Sequence, residues 1–173
     1  MNTETEQYTY SNKNIRKIYS KYALEKVSRY TNALSLTFTF IGPASRARLI
    51  AEERFTNLLH KVSAKVNRNR YKRHKELVSC IAVQEFDDAT RPNIHAIFDV
   101  PKKMTQREFY SLLKPIAEKL FDVRQSYISK TQLRKKPKIH ISQFNNADRA
   151  VNYLMKKETK DLKNTNFAEF VIA

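Results

Sequence analysis

Apolar positions recur every three to four residues over 14–30, where Ile15, Ile18, Tyr19, Tyr22, Ala23 and Val27 line one side of a predicted helix. The period then drops to two. Over 34–41, Leu34, Leu36, Phe38 and Phe40 alternate with Ser35, Thr37, Thr39 and Ile41, a strand closed by Gly42-Pro43. A long helix is expected over 45–66, with Leu49, Ile50, Phe55, Leu58, Leu59, Val62 and Val66 as its buried stripe. It leaves through a basic run, 67–75. Two strands follow, 81–85 and 93–100, joined by the seven residues 86–92. Thr105 is placed to cap a helix over 106–119, with Glu108 completing a capping box and Pro115 expected to kink it. Strands are predicted at 121–128 and 139–144. Asn145 or Asn146 caps a helix to about Lys157, and 167–172 reads as a short final strand.

The core order is therefore strand, helix, strand, strand, helix, strand. That is an α+β fold with a ferredoxin-like, RRM-like split βαβ core. It predicts a single antiparallel sheet with helices mainly on one face and the other face available for function. Residues 1–12 read as a loosely attached tail and 13–173 as one domain.

Charge changes the picture most. The 173 residues carry a formal net charge of +16. Such an excess of Lys and Arg repels itself in the folded state and favours a polyanionic partner. No apolar run reaches the roughly 20 residues of a membrane span, and the polar N-terminus lacks a signal-peptide core. The single cysteine, Cys80, sits in an apolar strand and reads as a small core residue. Together these lead to the expectation of an intracellular, cytoplasmic protein with no membrane partner. One glycine, Gly42, excludes a glycine-rich phosphate loop and with it a built-in ATPase motor.

Three groups of residues carry candidate chemistry. If 86–92 closes a hairpin, Glu85 stands opposite Asn93 and His95 is one diagonal step away, within side-chain reach. A carboxylate, an amide oxygen and an imidazole on one sheet face are an oxygen-rich donor set, suited to Mg²⁺ or Mn²⁺ more than to Zn²⁺. The plainer reading makes His95 an ordinary strand residue and Asn93 a turn residue after Pro92. Asp87, Asp88 and Asp99 are further ligand candidates, and so is His140. In the helix after Asn146, Ala147, Ala150, Val151 and Leu154 form the apolar stripe and Tyr153 falls at its border, with Lys156 and Lys157 three and four residues on. A phenol beside ammonium groups is a candidate covalent nucleophile, although tyrosines at helix borders followed by lysines are common for structural reasons. Tyr127 with Lys130 repeats the spacing without a clear helix around it. Nucleic-acid contacts are expected from Arg46, Arg48, Arg68, Arg70, Tyr71, Lys72, Arg73, Lys102, Lys103, Arg134, Lys135, Lys136 and Lys157. Cations would bind phosphates and Tyr71 would stack on a base.

With these residues in view, the chain resembles the HUH endonuclease superfamily, in its rolling-circle replication initiator (Rep) branch. Ser35-Leu36-Thr37-Phe38-Thr39-Phe40 is similar to the family's first strand motif. Pro92-Asn93-Ile94-His95-Ala96-Ile97-Phe98 is similar to its metal motif, histidine-hydrophobic-histidine, with Asn93 where the first histidine belongs. Tyr153-Leu154-Met155-Lys156 is similar to its catalytic Tyr-x-x-Lys. The resemblance implies a metal-dependent single-tyrosine nuclease. Tyr153 would attack single-stranded DNA and form a 5′-phosphotyrosine, Lys156 would position the phosphate, and Glu85, Asn93 and His95 would hold Mg²⁺ or Mn²⁺. The implied partners are single-stranded DNA, an origin hairpin and a separate helicase from the host or the element. For an initiator borne by a plasmid or phage, the compartment would be the bacterial cytoplasm.

Asn93 also motivates a rival: a DNA-binding protein of the same fold that has lost nicking. A related transposase or relaxase uses the same chemistry. An RNA-binding module shares the topology, but its aromatic Lys/Arg-Gly-Phe signature is missing from these strands.

Overall fold

In the computed structural model, residues 12–39, 47–85, 93–121, 138–142, 146–154 and 171–172 are described. They form α1 (Asn12–Val27), β1 (Ala33–Thr39), α2 (Ala47–Asn67), α3 (Asn69–His74), β2 (Cys80–Glu85), β3 (Asn93–Asp99), α4 (Gln106–Phe121), β4 (Lys138–Ser142), α5 (Ala147–Leu154) and β5 (Val171–Ile172). The sheet order is β4-β1-β3-β2-β5, with every pairing antiparallel. The fold is α+β, and its first four strands take the ferredoxin-like arrangement. The final strand joins the chain's own sheet, pairing Ile172 with Ile81 and Val171 with Ala82.

Period-two alternation gives the sheet two different faces. On the first, Leu34, Leu36, Phe38, Cys80, Ala82, Ile94, Ala96 and Phe98 are buried beneath Phe55, Leu58, Leu59 and Val62 of α2 and Phe109, Leu113 and Ala117 of α4. Phe38 is the hub. Its ring meets Phe55 at 5.6 Å, Phe121 at 5.6 Å and Phe98 at 6.4 Å between centroids, all edge-on. Burial among these groups pushes the Cys80 thiol up to about 12, so it packs as a hydrophobe and is no nucleophile.

On the second face, Ala33, Ile81, Val83 and Ile97 are covered by Ala23 and Val27 of α1 and by Val151 and Leu154 of α5. The larger helical layer thus lies on the first face. The second is only partly open, covered over β2 and part of β3.

Several local expectations change. Phe121 begins no strand; it closes α4, one helical step beyond Phe109, Leu113 and Ala117, and is buried in the aromatic cluster. Residues 122–128 lie outside the described residues, as do 1–11, 86–92 and 155–170. Leu49 is 67% exposed, because α2 meets the core only from Ala51 onward. Ile18, Tyr19 and Tyr22 are exposed too, since α1 docks through Ala23 and Val27 near its end. The basic run after α2 is not merely a connection but contains the short helix α3.

Polar contacts lock the helices to the sheet. Thr105 and Glu108 form the expected capping box: the Thr105 N–H and hydroxyl both donate to the Glu108 carboxylate, which holds that carboxyl below its ordinary range. α4 runs on through Pro115, whose position is exposed. Arg54 donates to the Leu120 carbonyl at 2.7 Å and ties α2 to the end of α4; burial lowers its pKa. The buried Ser63 hydroxyl accepts from the Val78 N–H at 2.7 Å. Ser63→Ala would strand that N–H away from water, with an expected loss of about 1–3 kcal/mol in urea unfolding. Among the described residues no helix is long and apolar enough to cross a membrane.

Candidate functional site

The hairpin strands pair in the register that brings the metal candidates together. Glu85 is the cross-strand partner of Asn93, and Val83 that of His95. Asn93, His95 and the main-chain position of Glu85 therefore share the second face of the sheet. Thr37 extends the row. It pairs with His95 on β3 and with His140 on β4, so both histidines flank one threonine. The Thr37 hydroxyl lies 3.0 Å from His95 Nδ1. That bond orients the half-buried imidazole. His140 is exposed, two strands from His95 and about 10 Å across the sheet.

The strand register places the backbone of the three metal candidates side by side. The register supplies one carboxylate position, one amide and one oriented imidazole, an oxygen-rich set. Among the described residues no group of three or more His, Cys, Asp and Glu stands together, so the amide of Asn93 is needed to make a third donor. Asp99 is no part of the patch. It stands four residues along β3 from His95, about 13 Å away. Asp87 and Asp88 lie outside the described residues.

Helix α5 reaches this face because its apolar stripe forces it there. Asn146 caps it: the side-chain oxygen accepts from the Arg149 N–H at 2.7 Å. Val151 and Leu154 are then buried with Ile81, Val83 and Ile97. Tyr153 lies in the last turn of this helix, between those two buried residues in the chain. Lys156, Lys157, Tyr127 and Lys130 fall outside the described residues.

The expected DNA contacts divide sharply. Arg46, Arg134, Lys135 and Lys136 lie outside the described residues, and of Arg48 only its place in α2 is described. Arg68, Arg70 and Lys103 come together beyond the end of β3 that lies away from Asn93. Arg68, Arg70, Lys72 and Arg73 are exposed around α3, and Lys102 and Lys103 are exposed in the turn after β3. Tyr71 does not stand free as a stacking platform. Its hydroxyl lies 3.1 Å from His60 Nδ1, and Lys75 Nζ sits 5.2 Å from its ring centre. These contacts brace α3 against α2. Arg68 is strained: its φ of 37° and ψ of −99° lie outside even the left-handed helical well, at about 1–3 kcal/mol for a residue with a side chain.

Neither Thr37 as the partner of His95 nor the strain at Arg68 is visible from residue types alone. The first follows only from strand register. The second has no sequence signal. Comparison of the chain with protein-family models, with curated proteins and with solved structures finds no match.

Proposed function

We propose that this chain is a replication initiator of the HUH endonuclease type, which nicks and rejoins single-stranded DNA at an origin through a covalent 5′-phosphotyrosine on Tyr153. The observation that supports it best is the seating of α5. Val151 and Leu154 pack with Val83, and Val83 is the cross-strand partner of His95. The helix bearing the candidate nucleophile thus lies on the face bearing the candidate ligands. A helix packed on the α2 and α4 side would have separated the two by the thickness of the sheet.

In this reading the Tyr153 oxygen attacks the scissile phosphorus. An O–P bond to tyrosine forms, and the bond from phosphorus to the 3′-oxygen breaks. The phenol gives up its proton, and the departing oxygen gains one to become a 3′-hydroxyl. Attack by that hydroxyl on the phosphotyrosine rejoins the strand, so no ATP is consumed. Lys156 positions the phosphate, with Lys157 behind it. Thr37 holds the His95 ring in its ligating orientation. Glu85, Asn93 and His95 would hold Mg²⁺ or Mn²⁺, and the ion would supply positive charge to the reacting phosphate. Unwinding falls to a separate helicase, and the setting is intracellular.

The test is adduct formation. Incubation with single-stranded origin DNA and Mn²⁺ should yield a protein–DNA species that survives denaturation and maps to Tyr153 by peptide mass. No such species across a range of sequences and Mn²⁺ concentrations would remove the nuclease reading. A second reading is favoured by Asn93 itself: a neutral amide binds a cation more weakly than imidazole, as in a protein that kept DNA binding and lost cutting. Asn93→His is accordingly expected to tighten Mn²⁺ binding by about tenfold or more, read by calorimetry without DNA. An unchanged affinity would mean that position 93 is not a ligand.

A further inference from the structure

We propose that the cavity between the end of α2, the start of α3 and the turn after β3 is a preformed seat for nucleic-acid backbone phosphate, separate from the site of nicking. It has a volume of about 360 Å³ and is lined by Val66, Asn67, Arg68, Asn69, Arg70, Pro101, Lys103 and Met104. Three of these are exposed cations, and they come from two elements far apart in the chain.

The seat stands out from an ordinary basic surface in three ways. First, charge is concentrated. Between residues 65 and 75 there are six cations, Lys65, Arg68, Arg70, Lys72, Arg73 and Lys75, and no acid. One of the lining cations, Arg70, pairs with Glu76 at 3.5 Å in an exposed ion pair. Second, the backbone that carries Arg68 and Arg70 is braced. Asn67 donates to the Glu76 carbonyl at 2.9 Å, and Val78 is tied to Ser63. The Lys75 N–H closes α3 on the Tyr71 carbonyl at 2.8 Å, and the Tyr71 hydroxyl meets His60. Like charges gathered on a braced backbone repel one another in the free protein, and a phosphate relieves that repulsion. Third, Arg68 keeps a backbone conformation that arginine disfavours, as expected where a side chain is held for a ligand.

Position gives the seat its role. It lies past the end of β3, whereas Asn93 lies at that strand's start. Six residues of strand span about 20 Å, the rise of about six base pairs in a DNA duplex. A phosphate held here therefore belongs to a segment several nucleotides from any bond cut near Asn93 and His95. The inference rests on the nucleic-acid part of the proposed function and not on its chemistry.

The experiment compares two triple variants by fluorescence anisotropy at several salt concentrations. One removes the seat (Arg68→Ala, Arg70→Ala, Lys103→Ala). The other removes the same charge elsewhere (Lys17→Ala, Lys21→Ala, Lys119→Ala). The probes are a hairpin of about 20 base pairs, a single strand of about 30 nucleotides, an RNA of the same length, and inorganic phosphate as competitor. The seat variant should lose on the order of tenfold to a hundredfold in affinity, and its salt slope should be shallower by about two to three. The control should lose much less. Whichever probe loses most identifies the nucleic acid that occupies the seat. Equal losses in both variants would overturn the proposal, since diffuse charge would then explain binding; so would loss of phosphate competition alone, with no effect on any nucleic acid. If the seat triple melts early, Lys103→Glu, which leaves α3 intact, carries the same test. Binding is read without cutting, so an absent Tyr153 adduct leaves this result standing, and an adduct with an idle seat refutes only the seat.

Discussion

Tyr153→Phe is expected to abolish the covalent DNA adduct and to lower nicking by at least about a thousandfold. The substitution removes one oxygen and keeps the ring, so α5 retains its stripe of Val151 and Leu154 and its Asn146 cap. Phenylalanine offers no lone pair to attack phosphorus, and the only remaining route is direct attack by water. DNA affinity should hardly move, because the proposed backbone contacts come from Arg and Lys elsewhere in the chain. Melting temperature should hardly move either. Denaturing gels of the DNA-treated protein, read beside binding titrations, separate the outcomes. An adduct that persists in the phenylalanine variant would place the nucleophile on another residue, with Tyr127 the next to examine because Lys130 repeats the same spacing. Loss of adduct together with loss of folding would be read through Lys156→Ala, which should slow nicking while Tyr153 remains.

Phe38→Ala is expected to destabilise the chain by about 3–5 kcal/mol. Phe38 is fully buried and touches the rings of Phe55, Phe98 and Phe121, so it joins β1, β3, α2 and α4 at one point. Truncation leaves a cavity that three aromatic neighbours cannot collapse into without leaving their rotamers. A loss of this size is a large share of the roughly 5–15 kcal/mol by which a typical domain is stable. Urea unfolding followed by circular dichroism would show it as a lower midpoint with an unchanged slope. A loss near 1 kcal/mol would mean that the site collapses around the truncation. Thr37, the next residue, points to the other face, where it bonds His95. Its substitution should leave stability far less affected.

The fold was largely legible because its signals are local. Alternation over Leu34, Leu36 and Phe38 requires a strand, and the spacing of Phe55, Leu58, Leu59 and Val62 requires a helix. The short connection between β2 and β3 then made antiparallel pairing of Glu85 with Asn93 the natural register. What was not legible depends on packing. Phe121 reads as the opening of a strand, and only its aromatic pocket makes it the last rung of a helix. Leu49 and Leu58 look alike in sequence, but α2 meets the sheet only from Ala51 onward. The basic run around Tyr71 reads as solvated charge until His60 and Lys75 are seen around its ring. At the candidate site, the register of Glu85 opposite Asn93 and the Asn146 cap were legible. That α5 lies on the His95 face follows from the burial of Val151 and Leu154 against Val83, a tertiary fact that no spacing within the helix contains.

The strained peptide at Arg68 has an evolutionary consequence. In a chain with a single glycine, Gly42, the position where glycine would sit most comfortably is occupied by a long cationic side chain. Selection for heat tolerance alone should drift toward glycine at residue 68, whereas selection that includes contact with a polyanion should hold the arginine. Which way laboratory lineages move at this one codon would reveal what the ancestral chain was being kept for.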